Sequence, residues 1–338
     1  MIIYNTSRIF AIMTIDANSV FNIKSDEQFN EIALRIFEFQ KVNIPIYGEF
    51  VKYLDIENPI DHYTRIPFLP IEFFKTHQII NPKDTIDIVF SSSGTTGSKT
   101  SKHYVKDVHW YIESYRKAFT QFYGDLENLC IIALLPNYLE REGSSLIYMV
   151  EDLIHQSKHP DSGFLLYEHD MLFDKLQRLK QAGQKTILIG VTYALLDFIE
   201  NYQIDFPELI VMETGGMKGK RKEMVREELH KILCTGFGVN GIHSEYGMTE
   251  LLSQGYSFGN GIFESSGWMR IITRDINDPL TILKGNKTGG INVIDLANIY
   301  SCSFIATQDL GKVLSANRFE VLGRFDNSDI RGCNLLVS

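Results

Sequence analysis

Apolar residues along the chain fall into two rhythms. After Ser25-Asp26-Glu27-Gln28, which has the form of a capping box, Phe29, Ile32, Ala33 and Ile36 recur on one helical face and predict a helix from about Asp26 to Gln40. The stretch from Ile44 to Pro82 carries Pro45, Pro59, Pro67 and Pro70 and reads as an extended or irregular approach to a first strand at Ile86–Phe90, because proline removes backbone donors. Farther on the rhythm alternates. Short apolar runs at Cys130–Leu135, Thr186–Val191 and Leu209–Glu213 read as buried strands, separated by helical patterns near 109–123, 144–157, 171–182 and 192–202. The clearest helix follows Lys218, with Met224, Val225, Leu229, Ile232 and Leu233 on one face. Strands alternating with helices of this length imply an α/β fold with a mostly parallel sheet covered by helices. Past about residue 256 the chain turns β-rich, with Gly289-Gly290, Asn317 and Gly323 punctuating short runs. No repeat, low-complexity tract or flexible linker interrupts this single α/β body.

Composition narrows the class. The 338 residues suffice for a full core, and 44% hydrophobic with 22% charged residues describe an ordinary soluble protein. A net charge of −9 argues against a nucleic-acid or anionic-membrane surface, since both need basic patches. No apolar run reaches the roughly 18 residues of a membrane span. Ile9–Met13 is apolar after Arg8 but short and without a small-residue cleavage site; Met13 is an alternative start. Cys130, Cys234, Cys302 and Cys333 make no CxxC pair and no metal spacing, which suits a reducing compartment, and the expected location is cytoplasmic. Cys130 and Cys234 read as core, and Cys302 as part of a strand.

Ser91-Ser92-Ser93-Gly94-Thr95-Thr96-Gly97-Ser98-Lys99-Thr100 follows the first strand directly. Glycines at 94 and 97 allow backbone N–H groups to turn inward while the hydroxyls add donors, which makes a cradle for a polyphosphate. A Ser/Gly-rich surface loop has the same composition. A Walker loop is excluded, because Gly97 is followed by Ser98 before Lys99.

Ser92-Ser93-Gly94-Thr95-Thr96-Gly97 resembles the phosphate loop of the adenylate-forming superfamily, which includes acyl-CoA synthetases, luciferases and peptide-synthetase adenylation domains. Where the superfamily's common form continues with Pro-Lys, this chain has Lys99-Thr100, a Thr ending similar to the phenylacetate-CoA ligase branch. Three further signatures follow in the superfamily's order. Thr214-Gly215-Gly216 ends a strand, where the glycine pair would let backbone approach an adenine ring. Glu245-Tyr246-Gly247-Met248-Thr249-Glu250 is similar to the Tyr-Gly-x-Thr/Ser-Glu motif. The resemblance implies that Tyr246 packs on adenine, Thr249 contacts phosphate and Glu250 faces Mg²⁺, roles that suit an aromatic face, a hydroxyl and a hard oxygen ligand. Thr307-Gln308-Asp309-Leu310-Gly311 and Gly323-Arg324-Phe325-Asp326 complete the set. Here it implies that Asp309 holds the ribose hydroxyls and that Arg324, at the hinge, lies against ribose and α-phosphate. The implied cofactors are ATP and Mg²⁺.

A narrower resemblance covers most of the chain past Ile66, through Leu69-Pro70-Ile71-Glu72-Phe73-Phe74-Lys75, Ser101–Val105, Leu135–Arg141 and His243–Leu251. These stretches are similar to the acyl-protein synthetases of bacterial luminescence operons, which activate a fatty acid and hold it on a cysteine. His103 and His243 lie next to the motifs and could place substrate or be structural. The superfamily continues past the hinge Arg into a mobile lid that supplies a lysine, whereas 14 residues follow Arg324 here, so the lid is expected to be largely absent. The expected division is a large adenylate-forming domain over 1–325 and a hinge stub with a short tail over 326–338. In the acyl-protein synthetases a cysteine near the C-terminus carries the acyl group, which implies that role for Cys333. Gly332 would give it freedom, and Arg331 would favour its thiolate.

The resulting expectation is ATP-dependent activation of a carboxylic acid, on the resemblance a fatty acid, with transfer to a protein thiol. Implied partners are an acyl reductase or an acyl carrier. The alternatives are an acyl-CoA ligase of the phenylacetate-CoA ligase type and a non-catalytic nucleotide- or acyl-binding subunit.

Overall fold

The computed structural model describes residues 15–56, 59–92, 99–136, 143–215 and 224–325. The described residues open with α1 (Ala17–Phe21), α2 (Asp26–Asn43), α3 (Pro45–Tyr53), β1 (Leu69–Pro70), α4 (Phe73–Thr76), β2 (Ile88–Ser91) and β3 (Lys102–Val105). Then come α5 (Val108–Tyr123), β4 (Cys130–Leu134), α6 (Ser145–Ser157), β5 (Gly163–Leu165), α7 (His169–Gln181), β6 (Thr186–Val191), α8 (Thr192–Ile199) and β7 (Ile210–Thr214). The remainder is α9 (Arg226–Phe237), β8 (His243–Tyr246), β9 (Gly255–Ser257), β10 (Ile262–Ser265), β11 (Met269–Arg274), β12 (Thr288–Asp295), β13 (Phe304–Ser315) and β14 (Arg318–Arg324). The described residues divide into two compact units, one within Met1–Ile88, Ser101–Trp110 and Ser265–Ser338, the other within Val89–Thr100 and Tyr111–Glu264.

In the first unit, Gln28 N–H donates to Ser25 Oγ over 3.2 Å and caps α2, whose buried face is Phe29, Ile32, Ala33, Ile36, Phe37 and Gln40. The helix runs to Asn43, one turn past the expected end, and Pro45 then opens α3. This corrects the irregular reading of 44–82: proline at the first helical turn has no N–H to waste and a φ already suited to helix. The β-rich half is an antiparallel order β11-β12-β13-β14, with β1 parallel to β13 through Leu69↔Ile305. Its strands are longer than expected. Gly289 and Gly290 lie inside β12, paired with Gly311 and Leu310, and β13 spans 12 residues. Cys302 is buried just before β13 rather than within it.

In the second unit the order β5-β4-β6-β7-β8 is parallel, and β9 then pairs antiparallel with β8. Every residue of β4 and β6 is buried, which is why these strands read as unbroken apolar runs. Helix α9 starts at Arg226, so Met224 and Val225 precede it and Val225 is 66% exposed. Its buried face is Leu229, Leu233 and Phe237, a stripe at four-residue spacing, and Ile232 points outward. Among the described residues no helix is long and apolar enough to cross a membrane.

Candidate functional site

Strands β7 and β8 run side by side in parallel with Met212↔His243 and Glu213↔Ser244 in register, so their carboxyl ends reach the same edge. In an open parallel sheet that edge is where ligands bind. Beyond β7 the chain turns at Gly215, whose φ of +75° strongly favours glycine. Beyond β8 it reaches the exposed Gly247.

Side chains alternate between the two faces of the strands. On one face, Thr214 Oγ1 donates to Glu245 Oε2 over 2.8 Å. Burial pushes the Glu245 carboxyl up to about 7, with Thr214 opposing the rise and Glu213 adding to it. On the other face, Ser244 Oγ donates to Glu213 Oε1 over 2.8 Å and Thr192 Oγ1 to its Oε2 over 3.0 Å. Burial alone would raise Glu213, but the His230 ring at 3.8 Å, Ser244 and Thr192 outweigh it and hold the carboxyl below its ordinary range. Neither acid stood out in the sequence. Glu213 closes the apolar run before Thr214-Gly215, a charge that was the available signal, and Glu245 opens the quoted motif without a role being given to it.

Gly247 explains its own identity. A Cβ added there would overlap Glu245 Oε1 and stand 3.3 Å from Gln254 Cγ, so the carboxylate lies in the space a side chain would fill. Tyr246, on the opposite face, is 9% exposed with its ring 6.0 Å from that of Phe263. The turn closes as Leu251 N–H donates to Met248 O over 3.0 Å, leaving Met248 and Thr249 half-buried and Glu250 only 5% exposed. Glu250 is therefore not a solvated surface acid. Among the described residues no group of three His, Cys, Asp or Glu side chains could hold a metal. A Mg²⁺ ion at Glu250 would need phosphate oxygens to complete its shell, which is how this ion is usually bound.

Ser92 follows β2, whose last residue Ser91 donates its N–H to Gly143 O over 2.7 Å. Ser93, Gly94, Thr95, Thr96, Gly97, Gly216 and Cys333 lie outside the described residues.

The first unit brings two separate signatures together. Asp309 in β13 and Arg324 in β14 are register partners, with Arg324 Nε 3.5 Å from Asp309 Oδ1. Asp309 N–H also donates to Thr307 Oγ1 over 3.1 Å. Beneath this strand lies Arg274, which the sequence reading missed. Its Nη1 donates to Ile291 O at 2.7 Å and Asn292 Oδ1 at 2.8 Å, and its Nη2 to Thr307 O at 2.6 Å. The guanidinium presses on Gly290, where a Cβ would stand 2.8 Å from its Cζ, so the Gly289-Gly290 pair was the sequence trace of a buried arginine rather than of a break.

The two flagged histidines separate. His103 is fully buried, with Nε2 3.1 Å from Asn298 Oδ1 and its ring edge-on to Phe74, a packing role. His243 lies on the Glu245 face with Nδ1 3.3 Å from Tyr123 OH, and burial lowers its pKa to about 4.

Comparison with known proteins fits this geometry. The ATP-bound MatB structure from Rhodopseudomonas palustris superposes with a TM-score of 0.54 at 16% identity over 71% of this chain, which spans about half (48%) of that chain. A 2-hydroxyisobutyryl-CoA ligase with 2-HIB-AMP and CoA in an open conformation gives a TM-score of 0.62 at 10% identity, covering 89% of this chain and 75% of that one. The same ligase in its thioesterification state gives 0.61 at 12% identity, covering 97% and 73%. At these identities the likeness establishes the adenylate-forming fold. No curated protein matches the sequence. Residues 24–338 match the family described as "Acyl-protein synthetase, LuxE", nearly the whole chain, and the protein belongs to that family.

Proposed function

We propose that the chain uses Mg·ATP to activate a carboxylic acid and then passes the acyl group to a protein thiol. The observation that carries this reading is the meeting of Gly215 with Tyr246-Gly247-Met248-Thr249-Glu250 at the carboxyl edge of the parallel sheet. In the first step a carboxylate oxygen attacks the α-phosphorus, the bond to the bridging oxygen breaks, and pyrophosphate leaves with the electron pair. In the second a thiolate sulfur attacks the acyl carbon and AMP departs. ATP supplies the activated phosphorus, and Mg²⁺ neutralises its phosphates. On the resemblance, the second unit gives Tyr246 and Gly215 to the base, Ser92 to Gly97 and Thr249 to phosphate and Glu250 to the cation; in the first unit the resemblance gives Asp309 the ribose hydroxyls and Arg324 ribose and α-phosphate. The likeness to an ATP-bound ligase and the family membership support this assignment.

Cys333 carries the acyl group in this reading, on the strength of the resemblance. The described cysteines are poor substitutes: burial pushes the Cys302 thiol up to about 12 and Cys130 up to about 11, and it raises Cys234 as well. A thiol held protonated is a weak nucleophile. A cytoplasmic reductase or acyl carrier is the natural recipient, and described thiols that form no disulfide suit such a compartment.

The test is acid-dependent exchange of labelled pyrophosphate into ATP. We expect exchange that requires both Mg²⁺ and a carboxylic acid; none with any acid from acetate to palmitate or their hydroxy and amino derivatives would overturn the reading. Free CoA accelerating AMP release would favour the CoA-ligase alternative.

A further inference from the structure

We propose that the acid this chain activates bears a hydroxyl or amino group, received by Glu245, Gln254 and Tyr256 on the sheet face opposite Tyr246. The proposal rests on the adenylation reading above and adds the class of acid.

The three side chains are brought together by register. β8 and β9 pair antiparallel with Glu245 opposite Tyr256 and Tyr246 opposite Gly255. Directly opposed residues share a face, so Glu245 and Tyr256 look the same way and Tyr246 looks the other. Gln254 stands next to Gly247, with its Cγ 3.3 Å from the place of the missing Cβ. Helix α5 walls this face: the Phe119, Phe122 and Tyr123 rings lie 6.0, 5.4 and 5.5 Å from that of Tyr256.

Two of the polar atoms here lack partners among the described residues. Tyr256 is 0% and Gln254 3% exposed, and among the described residues neither Tyr256 OH nor Gln254 Oε1 has a hydrogen-bond partner. Glu245 gives Oε2 to Thr214, while Oε1 rests over the bare Cα of Gly247 and the side chain keeps partial exposure. An unsatisfied buried polar group is costly, and such groups call for an explanation. Two together beside a half-satisfied carboxylate make an arrangement that an alkyl chain would leave unpaired. A hydroxyl or ammonium would pair it, donating to Glu245 Oε1 or Gln254 Oε1, with Tyr256 OH as a further donor. Burial, which raises Glu245 to about 7, adds to the gain from a donor, above all a cationic one.

Placement follows from the nucleotide. If the base lies against Tyr246, the opposite face of the same strand end remains for the acid, and the reacting carboxylate meets the α-phosphate at the sheet edge.

The experiment compares kcat/KM for pyrophosphate exchange with butyrate, tetradecanoate, and the 2-, 3- and 4-hydroxy- and aminobutyrates, alongside calorimetric titration of each acid. We expect one substituted acid to exceed butyrate and tetradecanoate by about 100-fold, because a site built to bond a hydroxyl rejects the analogue without it. Tyr256→Phe, which keeps the ring, should cut that preference about 10-fold through KM. Glu245→Gln should cut it further, with urea midpoints reporting folding. Plain acids exchanged as well as substituted ones, or a preference unchanged in both variants, would overturn this proposal and leave adenylation standing. Absence of exchange with every acid tried would overturn adenylation itself, and this proposal with it.

Discussion

The hydroxyl of Thr214 donates to Glu245 Oε2 over 2.8 Å, tying the last residue of β7 to β8, while the other Glu245 oxygen fills the space above Gly247. A methyl at position 247 would have to displace that carboxylate. Gly247→Ala should therefore break the Thr214 bond and cost about 1 kcal/mol in urea unfolding, with a larger fall in acid-dependent exchange. Unchanged stability and exchange would mean the carboxylate moves freely and the contact carries no weight.

The pH dependence of stability should report Glu245. Its pKa is raised by burial to about 7, above the unfolded carboxylate value near 4.3, so the folded state holds a proton that the unfolded state releases. Stability from this group is full below about pH 4 and falls as pH rises through 7. Glu245→Gln removes that loss and should stabilise the protein at pH 8 by on the order of 2 kcal/mol relative to its effect at pH 4.5, after allowance for partial exposure. Denaturation midpoints of both proteins at the two pH values check this; parallel curves would count against it.

Arg324 should matter for activity far more than for folding. It sits 3.5 Å from Asp309 with 68% of its side chain exposed, so the pair contributes under about 1 kcal/mol. Arg324→Ala should leave the thermal midpoint nearly unchanged and raise the KM for ATP at least about 10-fold, since a guanidinium on phosphate is worth more than a surface ion pair. A wild-type KM would detach Arg324 from the nucleotide.

Glu250→Gln keeps shape but removes the charge a hard cation prefers. With Glu250 5% exposed, the change should lower exchange by about 100-fold and shift the Mg²⁺ requirement upward. An unaltered magnesium titration would place the cation elsewhere.

Incubation with ATP and a radiolabelled acid that supports exchange, followed by hydroxylamine, tests Cys333. Hydroxylamine-labile label on the parent chain should vanish in Cys333→Ser. Undiminished label in that variant would send the acyl group to another acceptor.

The alternation of apolar runs and helical patterns was enough to give the parallel core: β6 starts and ends where its run does, β4 ends one residue before its run, and β7 is shifted by a single residue. These strands are buried on both faces, so burial writes itself as a continuous apolar run. The motifs at Gly215, Tyr246–Glu250, Asp309 and Arg324 could be picked out because short signatures keep their order whatever the fold does; the roles given to these residues belong to the proposed function. Helix α3 was missed because proline was read as a breaker when it stood at a helix start, and Val225 was miscounted because a helical stripe does not reveal where the helix begins.

Tertiary structure alone decided which residues meet. Nothing in the separation of positions 309 and 324 says that their strands pair in that register, and nothing in the apolar pattern of β11 says that Arg274 turns inward onto Gly290. The face assignment was equally out of reach. Side chains alternate with period two, so a one-residue shift between β7 and β8 would have parted Thr214 from Glu245. Sequence determined the elements because propensity and burial act locally. It could not determine the polar cluster of Glu245, Gln254 and Tyr256, because each member is ordinary by itself and becomes costly only when packing buries Gln254 and Tyr256 beside the carboxylate.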